Sequence, residues 1–301
     1  MRVAVTGVSG FIGSFLARAL VDAGHEVVGL VRTTSRRDHI ERLVSRFVIG
    51  DQSDDAVWPE LLDGTECIIH NSVDWDVIRA RDLASHLDKN LAASIRLLHA
   101  AQTRQFIFIS TIAVHHDMRP RWEGRIDEDH PLRPNTLYGA YKAAVEAHLW
   151  DRYHSANQPT TAIRPCGVYG IDPTLERSHG YTLFDKLRRG EDLTKPGGGK
   201  FVHVEDVAQA TVAAIGNAAA YGQPFNLVDC YARWADWAQM ACDLLEADVQ
   251  IDTTSPAEAK NTFLKDKVRE VLGVKLDRGH EGIRDHLTEL CSLMPGVQRG
   301  S

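Results

Sequence analysis

Three glycines spaced three residues apart, Gly7, Gly10 and Gly13, set the tightest limit on what this chain can fold into. They follow a short apolar run, Arg2–Thr6, that suits a buried strand. They precede Ser14–Ala23, an apolar-rich stretch that reads as a helix closed by Gly24 and His25, and Glu26–Val31 reads as the next strand. Strand, glycine turn, helix and strand together form a unit with a physical use. Gly7 permits the tight turn. Gly10 lets the backbone approach a pyrophosphate at the helix N-terminus, where free N–H groups and the dipole favour anions. Gly13 lets the helix sit close on the strand. A dinucleotide therefore belongs on this loop, and Ser9, Phe11 and Ile12 are assigned to it with the three glycines.

The end of the second strand decides which dinucleotide. NAD binders usually carry an Asp or Glu there, about 20 residues past the glycines, to hold the ribose 2′-OH. This chain has Val31 and Arg32, followed by Thr33, Thr34, Ser35, Arg36 and Arg37. The missing carboxylate removes repulsion toward a 2′-phosphate, and Arg32, Ser35 and Arg36 supply charge-assisted donors. The expected cofactor is NADP(H), with NAD as the alternative.

The unit repeats. Arg46–Gly50, Cys67–Asn71 and Gln105–Ser110 read as strands, with helices at Asp54–Leu62 and Asp82–Thr103. Alternating strands and helices imply an α/β, Rossmann-type doubly wound parallel sheet with right-handed crossovers. Ligands then bind beyond the carboxyl ends of the strands. Asp51 and Gln52 at one such end, and Asn71 and Ser72 at another, are expected along the cofactor groove.

Asn135–Lys142 opens a long helix, Tyr138 to about Ser155, and places Tyr138 and Lys142 on one helical face. A phenol near a cation can exchange a proton with a substrate hydroxyl. Tyr141 has Val145 four residues on, not a lysine, and is set aside.

With the strand ending in Ser110-Thr111, the chain resembles the extended short-chain dehydrogenases/reductases, the NAD-dependent epimerase/dehydratase family. The resemblance also rests on Arg164-Pro165-Cys166-Gly167-Val168-Tyr169-Gly170, Phe201–Val207 and Lys267–Gly273, and runs in order along nearly the whole chain. It implies that Thr111, Tyr138 and Lys142 are catalytic: Thr111 holds the reacting oxygen, Tyr138 is the acid/base, and Lys142 binds the nicotinamide ribose and lowers the tyrosine's pKa. Pro165 and Val168 join the cofactor set. Asn90 matches a position that is Asn in many relatives, implying a structural place or part in a proton relay. It also implies a C-terminal substrate-binding lobe, here 171–200 and 229–301, beside a nucleotide-binding domain at 1–170 to which 201–228 returns.

Departures from the family pattern narrow the chemistry. Thr111-Ile112-Ala113 stands where sugar-nucleotide dehydratases carry Thr-Asp-Glu, so dehydration of that type is not expected. Gly167 and Gly199-Lys200 replace residues that often meet a nucleotide-sugar diphosphate. The leading expectation is an oxidoreductase acting on a carbonyl or secondary alcohol of a small polar or sugar-like substrate. The alternatives are a nucleotide-sugar epimerase that retains NAD, and a non-catalytic NADP-binding protein.

The substrate is expected on the loops Val73–Arg79, His115–Arg133 and Ile171–Lys200, with Trp75, Trp122 and Tyr169 as stacking rings or interlobe packing. Arg119, Arg121, Arg125 and Arg133 in the second loop offer an arginine for an anionic group. Beyond it, helices are read at Gly180–Arg189, Val204–Asn217, Arg233–Glu246, Pro256–Leu272 and Gly279–Leu293, with a strand at Pro224–Val228. Leu87, Leu91, Ile95 and Leu98 form a stripe that suits a homodimer bundle.

The net charge of −7 gives no basic footprint for nucleic acid or an anionic membrane, and no apolar run has transmembrane length. Five scattered cysteines and fourteen histidines show no metal-ligand spacing, so no metal is expected. With no visible signal peptide and thiols read as reduced, a cytoplasmic location is expected.

Overall fold

The computed structural model describes residues 1–115 and 124–295. The first unit is β1 (Arg2–Thr6), α1 (Phe11–Asp22) and β2 (Glu26–Val31). Then come β3 (Arg46–Ile49), α2 (Trp58–Leu62), β4 (Cys67–His70) and α3 (Trp75–Arg79). A helical run follows: α4 (Leu83–His86), a π-helical turn (Leu87–Ala92) and α5 (Ala93–Ala100). Next are β5 (Gln105–Ile109), β6 (Arg125–Ile126), α6 (Leu137–Ala156), β7 (Thr160–Pro165) and β8 (Gly167–Tyr169). The rest comprises α7 (Tyr181–Arg188), β9 (Gly198–His203), α8 (Val204–Ala213), β10 (Gln223–Leu227), β11 (Cys230–Arg233), α9 (Trp234–Leu245), β12 (Thr262–Phe263), α10 (Asp266–Leu272) and α11 (Gly279–Leu293).

Seven strands form one sheet in the order β10-β7-β5-β4-β1-β2-β3, and every adjacent pair is parallel. Both faces are covered, which is why these strands read as continuous apolar runs rather than alternating ones. Val3 and Val5 join Leu16 and Leu20 of α1 and Val207 of α8 on one face. Ala4 turns the other way, into a core with Leu97, Leu98, Val145 and Leu149. The strand order reverses at β1, so the loops after β1 and β4 diverge and open a crevice.

A separate core gathers around Trp237, with Tyr169, Phe184, Phe201, Ile283 and Leu287. It is built on the small sheet β11-β9-β8. Glycines in Gly198-Gly199-Lys200 hid β9 from a propensity reading, although Gly198 has no room for a Cβ: one would lie 2.6 Å from the Ala232 carbonyl oxygen.

Three expectations need correction. Val73–Arg79, expected as a loop, carries α3, capped by Asp74, whose carboxylate accepts from the N–H groups of Asp76 and Val77 at 3.1 and 3.3 Å. Within Asp82–Thr103 the helix widens to a π turn at Leu87–Ala92, where Ser94 Oγ donates to the Asn90 carbonyl at 2.5 Å. Of Pro256–Leu272 only Asp266–Leu272 is α-helical, because neighbouring groups recruit the preceding backbone. Tyr231 donates to the Pro256 carbonyl at 3.3 Å, and Thr262–Phe263 pairs with β6. Asp117, Arg119, Arg121, Trp122 and Glu123 lie outside the described residues. Among the described residues no helix is long and apolar enough to cross a membrane.

Candidate active site

The crevice is a cleft of about 700 Å³. One end is the turn after β1. Gly7 sits at φ +66, a left-handed conformation that favours glycine. A Cβ on Gly13 would stand 2.0 Å from the Gly7 carbonyl oxygen, so only glycine lets α1 approach β1 this closely. No side chain caps α1 and no acid lies in its first turn, leaving first-turn N–H groups for an anion. These features fit the pyrophosphate of a dinucleotide. Thr6 fixes the opposite rim: its Oγ1 accepts from the N–H groups of Asn71 and Ser72, each at 3.1 Å.

Gly7, Ser9, Gly10, Phe11, Ile12, Arg32, Ser35, Asp51, Gln52, Asn71, Ser72, Thr111, Tyr138, Lys142, Pro165 and Val168 all line the cleft. Gly13 stands behind the lining, in its close-packing place. Arg36 does not line it; its Nε donates to Asp38 at 2.8 Å on the surface. Ser35 Oγ accepts from the Arg32 N–H at 3.1 Å and shapes the turn that presents Arg32. Burial pushes the Asp51 carboxyl up, but hydrogen bonds from Ser53 and the charges of Lys89 and Arg32 hold it below its ordinary range.

At the other end α6 carries Tyr138 and Lys142. Thr136 caps this helix, its Oγ1 accepting from the Gly139 N–H at 3.0 Å. Tyr138 packs against Trp75 with ring centroids 4.9 Å apart. Burial raises the Tyr138 phenol above its ordinary range, and the nearby Thr111 hydroxyl opposes that rise. Lys142 is buried, and desolvation lowers it to about 7 while Glu146 works against the shift. Its Nζ donates to the Ile109 carbonyl at 2.6 Å and lies 5.7 Å from the Tyr138 ring centroid. The protein alone therefore does not draw the phenol down as expected; the lysine is the group whose proton is loosened. Tyr141 is buried in the sheet-facing core beside Phe108 and His86, which removes it from the cleft.

Behind Thr111 lies a buried ion pair. Arg164 donates to Glu146 through Nε at 3.0 Å and Nη2 at 2.6 Å, and Ser110 Oγ also donates to Glu146. Asn90 is a brace: its carboxamide accepts from the Asp74 N–H at 2.7 Å and donates to the Asp74 carbonyl at 3.0 Å. It thereby anchors the loop that presents Trp75. Tyr169 is buried against Trp237 and His286, so it packs rather than stacks on a ligand. Asp206 is bound to Arg278 at 3.0 Å, a structural pairing.

Residue-level reading missed Asp74, Cys166, Arg177 and His179, which also line the cleft. Asp74 lies in Val73–Arg79, and Arg177 and His179 lie in Ile171–Lys200, both loops already expected at the substrate, but nothing in their spacing distinguished them. His179 is lowered to about 4, by burial first and then by the charges of His286 and Lys195.

A family model described as the NAD dependent epimerase/dehydratase family matches residues 3–227. The chain belongs to that family. It is 31% identical over 245 residues to the UDP-glucose 4-epimerase of Mycolicibacterium smegmatis, covering 75% of this chain and 77% of that one. It is 32% identical over 181 residues to a 4-hydroxy-2-methyl-3-oxo-4-farnesyl-3,4-dihydroquinoline-1-oxide ketoreductase from Stigmatella aurantiaca. That match spans 58% of this chain and about half of the relative's length, 52%. In fold it is similar to the Thermus thermophilus UDP-glucose 4-epimerase solved with NAD, with a TM-score of 0.80 at 22% identity over 98% of this chain and 100% of the other. As a family member the chain is an NAD(P)-dependent enzyme of the extended short-chain dehydrogenase/reductase type.

Proposed function

We propose that this enzyme transfers hydride between NADP(H) and a carbonyl or secondary alcohol of a small polar or sugar-like substrate, with Tyr138 as the acid/base. The observation that supports it most is one continuous cleft wall. It runs from the glycine turn and Arg32 to Thr111, Tyr138 and Lys142. Arg32 and Ser35 stand where a carboxylate would repel a 2′-phosphate, and they favour NADP(H). The nicotinamide supplies the hydride when bound.

The residues of the chain do the rest. A phenol held above its ordinary range stays protonated at neutral pH, ready to give its proton to a developing alkoxide. Thr111 holds the reacting oxygen by hydrogen bonding. Lys142 holds the nicotinamide ribose and, once charged there, favours the phenolate that Tyr138 becomes. The segment 171–200 with α9 and α11 forms the substrate lobe, with Arg177 and His179 at the cleft, whereas α10 returns to the nucleotide-binding domain, its Val268 and Leu272 buried in the sheet core. The enzyme is a cytoplasmic homodimer. Leu98 is fully buried and Leu91 and Ile95 are partly buried against the chain's own core. The dimer contact therefore falls to Leu83 and Leu87, which are 54% and 42% exposed. A monomer by light scattering would remove that part.

The likeness to UDP-glucose 4-epimerase supports a second reading, an epimerase that keeps NAD through its cycle. Replacing Tyr138 with Phe tests the acid/base role. Hydride transfer from NADPH to a panel of ketones and aldehydes should fall at least ~100-fold, with NADPH affinity nearly intact. Undiminished turnover would overturn it.

A further inference from the structure

α5 and α6 are locked together at their C-terminal ends. Leu97 and Leu98 of α5 share a core with Val145 and Leu149 of α6. Beyond them, Gln158 Nε2 donates to the Leu98 carbonyl at 3.4 Å and to the Arg104 carbonyl at 3.1 Å. Arg152 Nη2 donates to the Gln102 carbonyl at 3.4 Å, and its Nε to Gln158 at 2.9 Å. The spacing of the two helices is thus set from both sides of one short stretch.

On the outer side of that stretch, His99 of α5 meets His148 of α6, with ring centroids 6.5 Å apart and planes at 69°. Asp151 follows His148 by three residues and so lies on the same helical face. One ligand atom from each of the three lies within 4.8 Å of the others. Among the described residues, neither imidazole and not the Asp151 carboxylate is held by a side-chain hydrogen bond or an ion pair. None of the three lines the catalytic cleft.

Two imidazoles and a carboxylate are a donor set for borderline divalent metals rather than for calcium or magnesium, which take oxygen. Metal–nitrogen bonds of ~2.0–2.1 Å place tetrahedral donors roughly 3.3 Å apart. Side-chain rotations of about 1.5 Å on fixed helices close the difference, a small reorganisation for surface rotamers. His99 and Asp151 are exposed, so water can fill the remaining position and the ion is not stripped of solvent.

We propose that His99, His148 and Asp151 form a binding site for a divalent late transition metal, zinc foremost, that clamps α5 to α6. The clamp stiffens the helix that carries Tyr138 and Lys142 at its other end without touching the cleft.

The test is calorimetric titration of metal-stripped protein with zinc, beside thermal melts. One equivalent per chain is expected, with a Tm that rises with the logarithm of free zinc. His99→Ala and His148→Ala should each weaken binding at least ~tenfold, while metal-free melting and turnover stay as in the unmodified protein. Cobalt(II) should give ligand-field bands without a thiolate charge-transfer band. Absence of saturable binding would overturn the proposal. So would affinity undiminished in the double variant, or a thiolate band, since the metal would then sit on other residues.

Discussion

Lys142 Nζ donates to the Ile109 carbonyl at 2.6 Å, a buried bond between α6 and the end of β5, a central strand. The lysine is fully desolvated and is lowered to about 7, whereas an unfolded lysine titrates near 10.4. Below about 7 the folded chain carries the full cost of a buried charge. Between there and ~10.4 it holds fewer protons than the unfolded chain, so this cost is relieved as pH rises. Lys142→Met should therefore match or exceed the parent's Tm at pH 6, and that advantage should shrink by pH 9. Turnover should drop at least ~100-fold at both. Parallel melts and assays at the two pH values check it.

The Arg164–Glu146 pair is fully buried, at 0% and 1% side-chain exposure. Glu146→Gln leaves the guanidinium without its counter-charge and should cost about 3–5 kcal/mol. Glu146→Leu combined with Arg164→Met should recover most of that loss, because two charges then leave the interior together. Urea midpoints of the three proteins decide it.

Gly13→Ala forces a methyl against the Gly7 carbonyl oxygen. The turn or the helix must move, at a cost of about 1–3 kcal/mol. Nucleotide affinity should fall well beyond what stability loss explains, because the anion cradle is what moves. Gly190→Ala is the control: a Cβ there meets open space, though φ is +67. It should cost some stability and leave nucleotide binding intact.

His70 and His115 are both lowered to about 3, by burial and by the charges of Lys142 and Arg164 respectively. Unfolded, each titrates near 6.5. In that window the unfolded chain binds the extra protons, so this stability is complete above ~6.5 and is lost as pH falls toward 3. Each group adds a slope of about 1.4 kcal/mol per pH unit. Tm measured from pH 7.5 to 4.5 should fall progressively below 6.5; a flat profile would contradict the assignment.

The parts of the site readable in advance are those whose chemistry is local. Gly7, Gly10 and Gly13 announce the turn because the backbone there excludes a side chain, and Tyr138 and Lys142 share a face through helical spacing alone. Asn90, Asp74 and Trp75 were not readable as a unit. They meet only because a buried carboxamide braces a loop sixteen residues away. Arg36 looked equivalent to Arg32 in the sequence, and a surface aspartate two residues on captures it. Pro256–Leu272 contains good helix formers, but Arg233 and Tyr231 recruit the carbonyls of Ser255 and Pro256, and tertiary bonding overrides propensity.

The most direct measurement is fluorescence titration of nucleotide-free protein with NADPH and NADH, after the purified protein has been checked for retained nucleotide. Reversible binding with at least ~tenfold preference for NADPH, lost in Arg32→Glu, is the predicted result. Tightly retained NAD, or equal affinity for both nucleotides that Arg32→Glu leaves unchanged, would contradict it and favour the epimerase.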